Sequence, residues 1–140
     1  EFQIGKGNIV RDGTDVTVIA CGVEVGYALA AAENLAKENI QVRVVDMFTI
    51  KPLDKELVIR CARETGAIVT AENHNIYGGL GSAVAEVLAE NCHAAFGRVG
   101  VPDTFGEVGN KKFLADKFGI SAEYIEKAVR ELILKKKKGL

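Results

Sequence analysis

The stretch from Thr70 to Ser82 concentrates the residues able to do chemistry: Glu72, Asn73, His74 and Asn75, then Gly78, Gly79 and Gly81. The imidazole of His74 titrates near neutrality, which suits general acid or base work. It suits equally well a side chain that fixes the loop by hydrogen bonds or lines an interface. Glu72, two residues earlier, is either an acid–base partner or an anchor for backbone N–H groups of the glycine turn. Gly78-Gly79-Leu80-Gly81-Ser82 has the form of an anion cradle, since free N–H groups at a helix N-terminus attract phosphate. Close backbone packing against another subunit accounts for the same glycines. The stretch is neither Gly-x-x-x-x-Gly-Lys-Ser/Thr nor Gly-x-Gly-x-x-Gly. The chain has no Gly-x-Ser-x-Gly elbow, no cysteine in an activating context, and no Cys-x-x-Cys or His-x-x-x-His pair. His93, directly after Cys92, reads as a surface residue. His74 therefore stands as the single catalytic candidate, without a cofactor or metal signature beside it.

The elements that position this stretch follow from hydrophobic periodicity. A short edge strand near residues 8–11 precedes Asp12-Gly13, a hairpin-turn signal that predicts antiparallel pairing with the next strand. Residues 16–21 form a β-branched run of the kind buried on both faces. Val25, Ala28, Leu29, Ala32, Leu35 and Ala36 give a helix over 24–38, stopped near Asn39. Residues 41–46 are the next strand, and strand–helix–strand makes the two strands parallel with a right-handed crossover. Pro52 keeps 49–53 out of a helix, Asp54 is an N-cap, Leu53 and Val58 form a staple around it, and Gly66 is the C-terminal exit. Residues 67–71 read as a buried strand ending in the polar loop, with a helix from about Ser82. Residues 95–101 are a fourth parallel strand. A second glycine-punctuated loop, 102–109, leads to a short helix capped by Asn110 and ended by Gly119, then to a last helix capped by Ser121 with Ile120 and Ile125 as staple.

At 140 residues, 48% hydrophobic and 26% charged, the chain fits one ordinary globular domain over 1–140 with a real core. A net charge of −1 gives no field for nucleic acid or a membrane surface, and no apolar run approaches the roughly 20 residues of a membrane span. Lys135 to Lys138 reads as the start of a frayed, solvated tail over 135–140 rather than a nucleic-acid arm, since it lacks aromatics. Cys21, Cys61 and Cys92 are odd in number, widely spaced and set among apolar residues, and read as reduced, buried thiols of a cytoplasmic protein. The chain opens on Glu1 rather than Met, as expected of a piece of something longer.

The predicted fold class is α/β: a three-layer α/β/α sandwich with a five-stranded, mostly parallel sheet and one antiparallel edge strand. In such a sheet the strand carboxyl ends share one edge, where ligands and partners bind. Gly22 and Glu24, Asp46 and Thr49, Glu72 with Asn73 and His74, and Pro102 with Asp103 would then line one crevice, its acids converging on His74. Two readings are open. Either the chain is a small enzyme or ligand binder using that crevice, or it is a non-catalytic accessory domain whose polar edge faces a partner. The incomplete chemistry favours the second.

Several stretches resemble the C-terminal domain of transketolase-like thiamine-diphosphate enzymes. They are Asp15-Val16-Thr17-Val18-Ile19, Cys21-Gly22-Val23 and Ala28 to Glu33; Asp46-Met47-Phe48-Thr49-Ile50-Lys51-Pro52-Leu53-Asp54; Glu72-Asn73-His74 followed by Gly78-Gly79-Leu80-Gly81; and Phe118-Gly119-Ile120 with Ala128 to Ile133. The resemblance covers nearly the whole chain in order. It implies an enzyme that moves a two-carbon ketol unit between sugar phosphates in the pentose phosphate pathway, with thiamine diphosphate and Mg²⁺ held between two other domains across a dimer interface. The cofactor motif of those domains, Gly-Asp-Gly followed later by Asn, is not in this sequence. By resemblance this domain binds neither cofactor nor metal, is inert alone, and completes a homodimer. Its partners are the remaining transketolase domains or an N-terminal subunit. The interface candidates are Glu72, Asn73, His74, Gly78, Gly79, Gly81, Asp46 and Asp103. Phe48 to Pro52 and Glu72-Asn73-His74 lean towards transketolase itself. Val101-Pro102-Asp103-Thr104-Phe105 with Gly109 also resembles 1-deoxyxylulose-5-phosphate synthase. The β subunit of 2-oxoacid dehydrogenases, where this domain is a docking module, shares the fold and the Gly-Gly turn.

Overall fold

A computed structural model describes residues 1–139. Ten elements follow one another: β1 (Asn8–Arg11), β2 (Val16–Ala20), α1 (Glu24–Ala36), β3 (Val42–Asp46), α2 (Lys55–Thr65), β4 (Ala67–Asn75), α3 (Leu80–Asn91), β5 (Ala95–Val101), α4 (Lys111–Phe118) and α5 (Ala122–Lys137). The strands form one sheet in the order β1-β3-β2-β4-β5, parallel except for β1 against β3. The architecture is the expected α/β/α sandwich.

β2 is buried along its whole length and β3 from Val42 to Val45 because both faces of the sheet are covered. Val16, Val18 and Ala20 point to one layer with Val42, Val44 and Val69, against α1, α4 and α5. Ile19, Val45, Met47 and Ile68 point to the other, against α2 and α3. Thr17 also faces the second side, where its hydroxyl meets that of Thr65 at 3.0 Å. Helix ends follow local chemistry. The Asp54 carboxylate accepts from Leu57 N–H at 3.1 Å, and Gly66 leaves α2 with φ +68°. Asn110 accepts from Phe113 N–H at 2.9 Å, and Gly119 leaves α4 with φ +71°.

Four expectations are corrected. First, the Asp12-Gly13 hairpin does not form: β1 pairs antiparallel with β3, not with β2. Both edges of β2 are taken by parallel partners, so the outer edge of β3 is the one open to β1. The Asp12 carboxylate instead accepts from Arg43 Nε at 2.9 Å, and Gly13 lies so close to the backbone of Val42 and Arg43 that a Cβ would collide with it. Second, β4 does not end at Ala71. It runs on through Glu72, Asn73, His74 and Asn75, held along β5 by the pairing of Asn75 with Val101 and by Ile76 N–H donating to Val101 O at 2.8 Å. Third, α5 is helical through Lys137, into the stretch expected to fray; Lys136 Nζ donates to Thr65 O at 2.6 Å and Asp15 O at 3.0 Å. Leu140 lies outside the described residues. Fourth, Ser121 occupies the N-cap position of α5, but its hydroxyl makes no capping bond.

Candidate functional site

Helix α1 leaves β2 towards β3 on one face, and α3 leaves β4 towards β5 on the other. The neighbouring ends of β2 and β4 are therefore the switch point of the sheet, the place where open α/β folds bind ligands. Cys21 sits there, its N–H donating to Ala71 O at 3.3 Å. Burial pushes its thiol up to about 11, and the negative charges of Glu72, Glu24 and Asp46 push in the same direction. The strand-end acids do not gather on His74 as expected: Glu72 is bonded to the start of α3 and Asp103 to Asn75, while Glu72, Glu24 and Asp46 lie near enough to Cys21 to act on it as charges. A thiol held protonated among carboxylates is a poor nucleophile. Cys21 and Cys92 are half-buried, which corrects the expectation that all three thiols are buried; Cys61 is fully so. All three cysteines are free.

Glu72 is 2% exposed, and both carboxylate oxygens are used. Oε1 accepts from Leu80 N–H at 2.8 Å and Oε2 from Gly81 N–H at 2.7 Å. The carboxylate occupies the N-terminus of α3, where the helix dipole favours a negative charge and the first N–H groups have no partner in the helix. The glycines have a local explanation. A Cβ on Gly79 would drive into the Glu72 carboxylate, and one on Gly81 would lie 2.9 Å from both Thr70 Oγ1 and Arg98 Cδ. Gly78 has φ +76° and no near neighbour. The two N–H groups that would cradle a phosphate here are taken by the protein's own acid.

His74 is 59% exposed in its side chain. Its Nδ1 lies 2.6 Å from the carbonyl of Asn75 and 3.7 Å from Glu72 Oε1. A carbonyl oxygen only accepts, so the short contact assigns the proton to Nδ1 and leaves Nε2 as the free lone pair. Glu72 is thus not hydrogen-bonded to the imidazole. Asn75 bridges two loops: its side-chain N–H donates to Asp103 at 2.8 Å and its oxygen accepts from Tyr77 N–H at 2.9 Å. Asn73 and Asp103 are exposed, and Asp46, half-buried at the end of β3, is raised by burial. His93 is exposed.

One residue of this edge carries no signal in the sequence. Arg98 on β5 covers the turn: its guanidinium carbon lies 5.8 Å from the Tyr77 ring centre and Nη1 donates to Ile76 O at 3.0 Å. Pairing of Thr70 with Arg98 across β4 and β5 places it there, and that register is not written in either strand alone. Around the loop 102–109, Phe105 is 100% exposed and Val108 97%, with Tyr77 and Val23 also open to solvent. The Asn75–Asp103 bond ties the loop to the end of β4, and exposed apolar side chains on that loop have the composition of a contact face. Among the described residues no three His, Cys, Asp or Glu side chains gather as a metal site, and no helix is long and apolar enough to cross a membrane.

The profile of a family described as "Transketolase, C-terminal domain" matches residues 5–125. A 6-deoxy-6-sulfo-D-fructose transketolase subunit of Clostridium sp. (strain MSTE9) is 50% identical over 136 residues, covering 97% of this chain and 42% of that protein. A 1-deoxy-D-xylulose-5-phosphate synthase of Heliobacterium modesticaldum is 45% identical over 130 residues, covering 92% of this chain and 20% of that one. A transketolase of Rattus norvegicus is 44% identical over 138 residues, covering 96% and 22%. The solved structure titled "Split gene transketolase, inactive beta4 tetramer" superposes with a TM-score of 0.89 at 46% identity, over 95% of this chain and 43% of that one. The chain spans less than half the length of these relatives.

Proposed function

Because the chain belongs to the transketolase C-terminal domain family, we propose that it serves as the accessory domain of a transketolase assembly, contributing a contact face rather than reacting groups. The observation that carries this reading is the fate of Glu72. The acid nearest the imidazole is committed to Leu80 and Gly81 N–H, so His74 has no hydrogen-bonded acid to make an acid–base pair. The Leu80 and Gly81 N–H groups at the start of α3, where a phosphate would sit, are occupied by Glu72, which supports placing thiamine diphosphate and Mg²⁺ outside this chain. We place both groups on other domains or on a partner subunit. The reaction of the whole assembly is then transfer of a two-carbon ketol unit between sugar phosphates.

In this reading the face formed by Asn73, His74, Gly78, Tyr77 and the loop 102–109 meets a neighbouring domain or protomer, and the assembly is a dimer. Exposed apolar side chains at Phe105 and Val108 support it, since water exacts a free-energy cost for each until a partner covers them. The free thiols are in keeping with a reducing, cytoplasmic compartment. The test is a titration of thiamine diphosphate with Mg²⁺ against the chain alone and against the chain mixed with the remaining transketolase domains. Binding and ketol transfer from xylulose 5-phosphate to ribose 5-phosphate in the mixture only is the expected result. Cofactor binding or turnover by the chain alone overturns the reading.

A further inference from the structure

Glu24 opens α1 and is 0% exposed, yet neither of its carboxylate oxygens has a hydrogen-bond partner. Glu72, nearly as deep, has both of its oxygens paired. Once a buried acid without a donor carries a charge, any rearrangement that returns it to water is favoured.

The part of the chain beside Glu24 is weakly anchored. Glu24 and Tyr27 of α1 line a cavity of about 260 Å³, and the loop 102–109 with α4 lines it from the other side through Glu107, Lys111, Leu114 and Phe118. Every residue from Pro102 to Phe113 is exposed, and Ala115 is the one buried side chain of α4. The segment is held at its ends. Asp103 accepts from the Asn75 side-chain N–H at 2.8 Å, and Gly119, with φ +71°, leads into Ile120, which is 4% exposed. An eight-residue helix deprived of its packing is marginal in water, so lifting α4 also unwinds it.

The charged and titratable groups around Glu24 are few. Lys111 Nζ lies 5.8 Å from the centre of the Tyr27 ring and acts on Glu24 as a positive charge without bonding it. Glu107 is paired with Lys117, an ion pair internal to the loop and α4 that does not tie them to α1. At the strand ends lie Cys21, whose thiol burial raises to about 11, Asp46, and Glu72, already bonded to Leu80 and Gly81 N–H. No group in this set donates a hydrogen bond to the ionised Glu24 while α4 is seated.

We propose that the loop 102–109 and α4 form a pH-operated cover: when Glu24 ionises, the segment between Asp103 and Gly119 lifts from α1 and admits water to the carboxylate. Local opening of this kind draws on the least stable unit of a fold and costs less than unfolding the sheet. The opening belongs to this chain by itself; a domain seated on the loop 102–109, as proposed above, would hold the cover shut. Burial raises the Glu24 carboxyl from 4.5 to about 7 while the cover is closed, with the charge of Lys111 opposing. The open form, with an ordinary carboxyl, binds fewer protons across that window. Its population should therefore rise about 40-fold between pH 5 and pH 7 and level off above.

The experiment is backbone amide hydrogen exchange of the full chain at pH 5, 6, 7 and 8, followed by nuclear magnetic resonance and corrected for the intrinsic exchange rate at each pH. In the wild type, protection of the α4 amides from Leu114 to Phe118 should fall about 40-fold from pH 5 to pH 7. The β2 amides from Val16 to Ala20 should stay better protected at every pH. In Glu24→Gln, which keeps the shape of the side chain, α4 protection should not change with pH; far-ultraviolet circular dichroism matching the wild type establishes that this variant is folded. In the wild type alone, α4 unprotected at pH 5, α4 protection independent of pH, or α4 and β2 equally protected overturns the proposal. The same fall in folded Glu24→Gln overturns it too.

Discussion

Replacing Glu24 by Gln tests whether the fold tolerates this acid at its own expense. The side chain is fully buried, has no donor, and is raised from an ordinary 4.5 to about 7, with burial as the main cause and the charge of Lys111 opposing it. A carboxyl whose folded value lies above its unfolded value keeps its proton in the native state over a window in which the unfolded chain has already released it. The unfolded state then binds fewer protons, so stability falls as pH rises from about 4.5 towards 7. Each pH unit in that window removes at most about 1.4 kcal/mol, and the full loss by pH 8 is about 3 kcal/mol. Gln has no charge to bury. The expected outcome is that Glu24→Gln exceeds the wild type by about 3 kcal/mol at pH 8 and by less than about 1 kcal/mol at pH 5. Urea unfolding at pH 5, 6, 7 and 8, with the same slope against urea for both proteins, measures it. A gap that does not change with pH would refute the reasoning. So would a variant less stable than wild type at pH 8, because that would mean Glu24 has a donor in the native state.

Other outcomes follow from single contacts. Glu72→Ala removes two charge-assisted bonds and leaves the N–H groups of Leu80 and Gly81 unpaired, so thermal or urea unfolding should show a loss on the order of 3–5 kcal/mol. Gly79→Ala should lower the melting temperature for a related reason, since its Cβ would displace the Glu72 carboxylate. Cys21, half-buried and raised from 9.0 to about 11, should react with iodoacetamide about 100-fold more slowly at pH 7.5 than an ordinary thiol, as followed by mass spectrometry of its peptide. His74→Ala in the complete assembly should weaken association or alter kinetics; unchanged dimerisation together with unchanged turnover would remove His74 from the contact face.

Much of this protein is legible without coordinates. The β-branched run at 16–20 announces a strand covered on both sides, and the spacing of Ala28, Ala32 and Leu35 announces the helix that covers one face of it. Asp54, Gly66, Asn110 and Gly119 mark helix ends correctly because a cap needs only its own few neighbours. Resemblance along nearly the whole chain named the family from ordered short motifs, before any contact was known. The end of β4 was not legible. Asn and His are weak strand formers, and only the neighbouring β5 holds residues 72–75 extended. The partner of β1 was not legible either, because Asp-Gly is a local signal and the free edge of β3 is a property of the whole sheet.

What the sequence determined by itself is the set of elements, their order and their caps, all of which rest on interactions within a few residues. The tertiary structure alone decided where the acids point. It turned Glu72 onto the α3 N-terminus, brought Glu72, Glu24 and Asp46 within range of Cys21 as charges, and buried Glu24 without a donor. The physical reason is that charge interactions depend on distance and on access to water, and both are set by chain segments tens of residues apart.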